Sequence, residues 1–312
     1  MWDLALASSM EFRMRIDICV ATFRRPALLE RLLTDLLAQQ LPDGVSTHII
    51  VVDNDAQESA RPVIAAFQAT SASVEYLTQP EQNIALTRNR ALDHSQGELI
   101  AFIDDDESAP VGWLATLLAT MERHAADVVL GPVTGILPPN APDWIAKGRF
   151  FEPPALPSGT RVDSRSGGTG NVLMKASAIR SKVRFDPRYG LSGSSDTDFF
   201  HQMFCSGTRM VWCQEAMLTE HVPPCRLTLR YLLSRGFAAG QGYADIIERP
   251  DSVLRVLLWV ARRSTLAAAA AALTLSCLPF SKAAAFRYAT KVASNVGQVS
   301  TILEHRHQRY RR

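Results

Sequence analysis

Apolar runs of strand length alternate with segments of helical periodicity through the first half of the chain. No other feature limits the possible folds as strongly. Arg15–Thr22 (RIDICVAT), Thr47–Asn54 (THIIVVDN) and Glu98–Asp104 (ELIAFID) read as buried strands, and Val74–Thr78 as a shorter one. The intervening segments read as helices. Pro26–Gln40 carries Pro in its first turn and a wide apolar face made of Leu28, Leu29, Leu32, Leu33, Leu36 and Leu37. Glu58–Ala69, Ile84–His94 and Gly112–His124 complete the series, and Asp127–Leu137 returns to strand. Strands separated by helices of this length predict an α/β fold, with a mostly parallel sheet covered by helices on both faces.

The second half is less regular. Pro138–Gly159 packs prolines around Trp144, Phe150 and Phe151 and reads as a long loop, either a lid or binding element or a plain surface excursion. Gly167–Ile179 reads as a glycine-rich turn, a strand and the start of a helix. Ser194 and Ser195 are placed to cap a helix running to Cys205, with Asp196 and Asp198 in its first turn. Arg209–Ala216 reads as a last strand.

After His221 the character changes. Arg226–Ile247 is helical in pattern; Val253–Val260 and Ser264–Phe280 are strongly apolar and are split by Arg262-Arg263. The second run has 17 uncharged residues, the lower edge for crossing a bilayer. Basic residues follow at Lys282, Arg287 and Lys291 and in the terminal EHRHQRYRR. Apolar helices beside basic residues suit an anchor on an anionic membrane surface, the alternative being a helical subdomain packed on the sheet. The chain is thus expected to divide into an extension (1–14), a main α/β domain (15–228) and a helical, membrane-associated region (229–312).

Composition adds limits. A net charge of +2 over 312 residues gives no argument for a nucleic-acid partner. Cysteines at 19, 205, 213, 225 and 277 are odd in number and form no CxxC pair, which speaks for reduced thiols in a cytosolic setting. MWDLALASSMEFRMR lacks the pattern of a signal peptide, and Met10 or Met14 is a candidate start.

In parallel sheets, ligands bind where loops converge at the carboxyl edge. Here one strand ends at Thr22 before Phe23-Arg24-Arg25, another at Asp53-Asn54-Asp55, and a third at Asp104-Asp105-Asp106-Glu107. Four successive acids repel one another and call for a counter-charge. Magnesium or manganese would supply it, reaching the protein through one or two carboxylates plus substrate phosphates. The alternative is an acidic turn opening the next helix. Asp53 has a similar alternative as a turn residue. Arg88 and Arg90 could face a diphosphate or form surface ion pairs. His221 is either a metal ligand or a surface residue.

These pieces, in their order, resemble glycosyltransferase family 2, which has the GT-A Rossmann-like fold; the likeness spans roughly Arg15 to Arg226. ICVATFRRPALLERLL resembles the family's opening strand and helix, HIIVVDND its second strand, and NIALTRNRAL its N-x-G-x-x-x-x-R-N segment, with Ala85 where Gly is common. GELIAFIDDDE is similar to the metal-binding DxD element, and GTGNVLMKASAI and SSDTDFF to acceptor-side elements. The arrangement is most similar to bacterial exopolysaccharide transferases of the succinoglycan type.

The resemblance implies an inverting, metal-dependent transfer of a sugar, by default from a UDP-hexose, to a saccharide or lipid-linked acceptor at the cytoplasmic face of the inner membrane, with peripheral or shallow insertion. It implies a nucleotide-sugar set of Thr22, Arg24, Asp53, Arg88, Asp104 and Asp105, with Asp53 on the base and Asp104 on the ribose. Asp106 and His221 would serve Mg2+ or Mn2+. Asp196 matches the general base, with Ser195 where the family has Glu, so Asp198 stays open as the base. A nucleotidyltransferase is disfavoured because the first strand runs into TFRRP rather than a glycine-rich basic loop. A non-catalytic membrane-associated assembly factor is disfavoured because Asp53, Asp104, Asp106 and Asp196 are retained together.

Overall fold

A computed structural model describes residues 14–179, 183–248 and 252–303. The extension up to Arg13 and the basic EHRHQRYRR tail lie outside the described residues. In chain order the strands are β1 (Met14–Thr22), β2 (Val45–Asp53), β3 (Val74–Thr78), β4 (Leu99–Asp104), β5 (Glu107–Ser108), β6 (Val128–Leu130), β7 (Val133–Ile136), β8 (Asn171–Lys175), β9 (Met210–Trp212) and β10 (Leu218–His221). The helices are α1 (Pro26–Leu37), α2 (Arg61–Gln68), α3 (Ile84–His94), α4 (Trp113–Arg123), α5 (Asp143–Gly148), α6 (Ala176–Ile179), α7 (Ser195–Cys205), α8 (Leu229–Ile246), α9 (Val253–Cys277) and α10 (Lys282–Ser300).

The main sheet has the order β3-β2-β1-β4-β8-β6-β9. Its first four strands are mutually parallel; β8 runs antiparallel to both β4 and β6, so the sheet is mostly parallel. Successive side chains of β1 point to opposite faces, as the two-residue period of a strand requires. Ile16, Ile18 and Val20 enter one core with Leu29, Leu32, Leu33 and Leu36 of α1 and Trp113, Leu114 and Leu117 of α4. Cys19 enters the other, with Ala85 of α3 and Phe199, Phe200 and Met203 of α7. Each fully buried leucine in such a layer contributes about 1.5–3 kcal/mol.

Register sets the functional edge. Thr22 pairs with Asp53, and Ala21 with Asp104, so three strand ends reach the same rim. Asp17 fixes the far end: its carboxylate accepts from the backbone N–H groups of Gln96 and Gly97 at 2.6 and 2.8 Å and pairs with Arg15. A Cβ at Gly97 would stand 2.7 Å from the Arg15 carbonyl.

Several expected elements are redrawn. Asp127–Leu137 is not one strand. It breaks at Gly131-Pro132, and β7 leaves for a second sheet of order β5-β10-β7. A Cβ at Gly131 would meet the Asn171 amide at 2.5 Å, and Pro132 has no N–H to extend the ladder. Pro138–Gly159 holds α5, and it is no plain excursion. Ile145 of α5 and Phe151 close a third core with Val222, Leu227 and Leu232. Arg209–Ala216 forms only the short β9, and β10 follows it.

The two apolar runs near the C-terminus are one helix, α9, continuous through Arg262 and Arg263. Arg263 turns inward to pair with Glu248 and lies over the rings of Tyr243 and Trp259, which is how a guanidinium fits inside an apolar helix pair. α10 packs along both α8 and α9. Its contact with α8 is backbone to backbone: a Cβ at Gly240 would collide with the Ser294 carbonyl, and one at Gly297 with that of Phe237. α9 leaves much of its apolar surface open, with Val253 78%, Leu257 61%, Leu258 62% and Leu275 71% exposed.

Candidate active site

The rim begins at the end of β1. Thr22 is buried and donates its hydroxyl to Asp105 at 2.8 Å. Arg24 follows with a left-handed backbone (φ 54), which turns the chain between β1 and α1. Its side chain lies over Phe23, pairs with Asp55 at 3.2 Å and is largely exposed. Arg25 reaches back across the rim. One of its nitrogens donates to Asp105 at 2.9 Å and to Asp106 at 3.0 Å.

At the end of β2, Asp53 has no exposed surface. One of its oxygens accepts from the Asp55 N–H, the other from the Ala60 N–H and the Tyr76 hydroxyl, at 2.9 to 3.1 Å. Both oxygens thus help hold the β2–α2 turn, which gives Asp53 a structural part beside the role on a base that the resemblance implies. Neighbouring Asn54 is engaged likewise: its amide donates to the Gln79 and Glu81 carbonyls and its oxygen accepts from Asn83 N–H. Asn83 in turn caps α3 and sets the pitch at which Arg88 enters the cleft.

Arg88 is nearly buried, above the ring of Phe185. Its fork reaches two carboxylates, Asp196 at 2.5 Å through Nη1 and Asp104 at 3.2 Å through Nη2. Asp196, on the first turn of α7, also accepts from the Thr169 hydroxyl at 3.1 Å and the Ser195 hydroxyl at 3.3 Å. Asp198, one step further round the helix, instead accepts from Gln202 at 2.6 Å.

The strand-end acids are individually held. Asp104 keeps 44% of its side-chain surface and stands among charged neighbours. Burial, opposed by Arg88 and reinforced by Asp106, Asp196 and Asp105, pushes its carboxyl up to about 6. Burial also raises Asp105, against the pull of Arg25 and the Thr22 hydroxyl. Glu107 is buried and well above the usual carboxylate range, through burial and the charge of Asp104, and it accepts the Asp104 N–H at 3.0 Å. Gly170 leaves it room, since a Cβ there would strike the Glu107 carboxyl.

Asp106 receives Arg25 and, at 3.4 Å, Arg226 from the turn Pro224–Arg226 after β10. Arg226 is anchored at 3.2 Å to Glu220, whose register partner is Glu107. His221 ends β10 one residue on, exposed.

The repulsion that called for a cation is thus met by three guanidiniums: Arg25, Arg88 and Arg226. Arg25 and Arg226 are site residues that sequence reasoning did not single out. Arg25 stood in the quoted TFRRP as a signal; Arg226 stood at the edge of the resemblance with none. A divalent ion still suits the donor set. Asp104 and Asp106 offer hard oxygens, and among the described residues no group of three or more His, Cys, Asp or Glu side chains could cage an ion alone. Its remaining ligands would come from a substrate, the usual arrangement for magnesium on phosphates.

Residues 17–184 match the model of the family described as glycosyl transferase family 2. The chain is 35% identical over 292 residues to the succinoglycan biosynthesis protein ExoM of Rhizobium meliloti (strain 1021), covering 93% of each. A shorter match, 28% identical over 116 residues, covers 36% of this chain and 37% of the GalNAc(5)-diNAcBac-PP-undecaprenol beta-1,3-glucosyltransferase of Campylobacter jejuni. Among solved structures, the mannosyltransferase PcManGT of Pyrobaculum calidifontis in complex with GDP-Man and Mn2+ superimposes with a TM-score of 0.64 at 18% identity, covering 92% of this chain and 88% of that one. TarS 1-349 of S. aureus in complex with UDP gives 0.54 at 13% identity, covering 94% and 92%. These two establish the fold, GT-A.

Proposed function

Because the chain belongs to glycosyltransferase family 2, we propose that it transfers a hexose from a nucleoside diphosphate donor, by default UDP, to a saccharide acceptor carried on a lipid, with inversion at the transferred carbon. The observation that carries this reading is the Arg88 fork, which ties the strand-end acid Asp104 to Asp196 on the opposite wall of the cleft. A donor laid along the strand ends is thereby brought against a single carboxylate. The roles of the relatives, succinoglycan biosynthesis and glucosyl transfer to a PP-undecaprenol glycan, support polysaccharide assembly and a lipid-linked acceptor.

In this reading Thr22, Arg24, Arg88 and Asp105 frame the nucleotide, and Asp104 accepts from a ribose hydroxyl. Asp106 takes Mg2+ or Mn2+, with His221 beside it. A bound cation would neutralise charge on the departing diphosphate. Asp196, held by Arg88 and Thr169, removes the proton from the acceptor hydroxyl as that oxygen attacks the sugar carbon. Asp196 is preferred to Asp198 because the Arg88 fork ties it to Asp104 at the strand ends, whereas Asp198 bonds Gln202 of its own helix. The exposed apolar face of α9 supports a peripheral or shallowly inserted position at a membrane, and the cytoplasmic face is part of the proposed reading.

A thermal-shift screen of UDP- and GDP-sugars with and without MnCl2 tests the donor class, and a joint metal and sugar-nucleotide shift is expected. In Asp196→Asn the transfer rate should fall by about 10²–10⁴-fold, the usual worth of a general base, with donor affinity nearly unchanged. Equal loss of both would remove Asp196 from that role.

A further inference from the structure

Asp106 is held twice. Its Oδ2 accepts from Arg25 at 3.0 Å and from Arg226 at 3.4 Å, so two guanidiniums from separate turns meet at one oxygen. They come from unrelated elements, the β1–α1 turn and the turn after β10. Each has its own second anchor, Asp105 for Arg25 and Glu220 for Arg226. Neither anchor needs Asp106. Both side chains can therefore leave that oxygen without becoming free, and both still project into the cleft.

This has a consequence for how ligands enter. A divalent ion arriving alone at Asp106 must displace two cations from the oxygen it wants, and then sits beside them. A diphosphate arriving with the ion reverses the balance: its oxygens accept guanidinium forks, and the ion is left with Asp106. Resting on the donor reading given above, we propose that Arg25 and Arg226 are diphosphate ligands whose resting hold on Asp106 makes the metal and the diphosphate bind as a pair. The coupling is reciprocal: each ligand raises the affinity for the other by the same factor.

The test uses the full chain and needs no turnover. Mn2+ binding is followed by the electron paramagnetic resonance of the free ion, first with Mn2+ alone; UDP and GDP binding is then followed by calorimetry in saturating Mn2+. Arg226→Gln and Arg25→Gln are expected to bind Mn2+ alone about two- to fivefold more tightly, the scale of one part-exposed ion pair. The same variants should bind the nucleotide about tenfold or more weakly, the scale of a charge-assisted hydrogen bond. Arg226→Lys should restore the resistance to lone Mn2+ better than it restores nucleotide affinity, because it keeps the charge and loses the fork.

Opposed shifts support the proposal. A merely structural role would weaken both measurements together, and that result overturns it, as does Mn2+ affinity unchanged in both variants. Arg25 is 42% exposed on a turn, so Arg25→Gln gives the reading if Arg226→Gln fails to fold. If the wild type binds neither UDP nor GDP in Mn2+, the donor reading falls and takes the pairing with it. If it binds them and the variants shift in parallel, only the pairing falls.

Discussion

A buried carboxylate is defined by what donates to it. Asp53 has three donors and no exposed surface, whereas Asp104 has one guanidinium and an open side. Both end strands at the same rim, and both follow runs of branched apolar residues, so their sequence contexts are nearly the same. That Asp104, Asp106 and Asp196 come together at one rim was legible from motif order, because each stands at or beside the end of an element. The donors that hold Asp53 were not legible, because they come from the following turn and from Tyr76 of β3. Asp53→Asn should lower stability by about 1–3 kcal/mol, since one amide hydrogen would face a donor in a closed site. A urea titration measures this, with nucleotide affinity of the folded protein expected to stay close to wild type. Full stability with selective loss of nucleotide binding would assign Asp53 to the ligand alone.

At the scale of elements, the alternation of β1 to β4 with α1 to α4 was legible because it depends on local periodicity alone. Boundaries moved by a few residues, as in Pro26–Leu37 against an expected Pro26–Gln40. What local pattern cannot carry is pairing between distant segments. The antiparallel insertion of β8, and the small sheet in which β10 joins β7 to β5, each bring together residues far apart in the chain. That small sheet is also what delivers Arg226 to Asp106, which is why this contact escaped the sequence. The α8–α10 seam is of the same kind. Gly236 and Gly240 on α8 and Gly297 on α10 remove the side chains that would keep two helices apart. Gly240→Ala should therefore lower the midpoint of unfolding, at a cost of about 1–3 kcal/mol for overpacking. Gly112→Ala, with nothing within 4 Å of the added carbon, is the matched control. A Gly240 variant as mild as that control would show that the seam yields freely.

For the whole molecule, the proposed membrane position calls for a surface that meets lipid. α9 has 25 residues, about 37 Å at 1.5 Å each, enough for a bilayer's hydrocarbon core. It does not stand apart from the rest: α10 joins it to α8, and Trp144 of α5 packs edge-on against Phe286 of α10 at 4.8 Å. The exposed face carries Leu254, Leu257 and Leu258 in its first turns, with Arg255 and Arg262 nearby. Replacing Leu257 and Leu258 by Glu should release the protein from vesicles containing anionic lipid, since each inserted leucine is worth about 1.5–3 kcal/mol. Co-sedimentation measures it. Retention of the double variant on vesicles at wild-type strength would place the contact elsewhere.

The fork of Arg88 carries one more implication. A guanidinium is flat and stiff, so it works as a gauge block: with one nitrogen on Asp104 and another on Asp196, it sets the gap between the two walls of the cleft. A sheet edge and a helix tip that share no covalent neighbourhood are thereby machined to a common tolerance. In the proposed reaction, where the donor sits would fix how far away the attacking oxygen can be, and a lysine at this position, with a single ammonium, would leave that spacing unset.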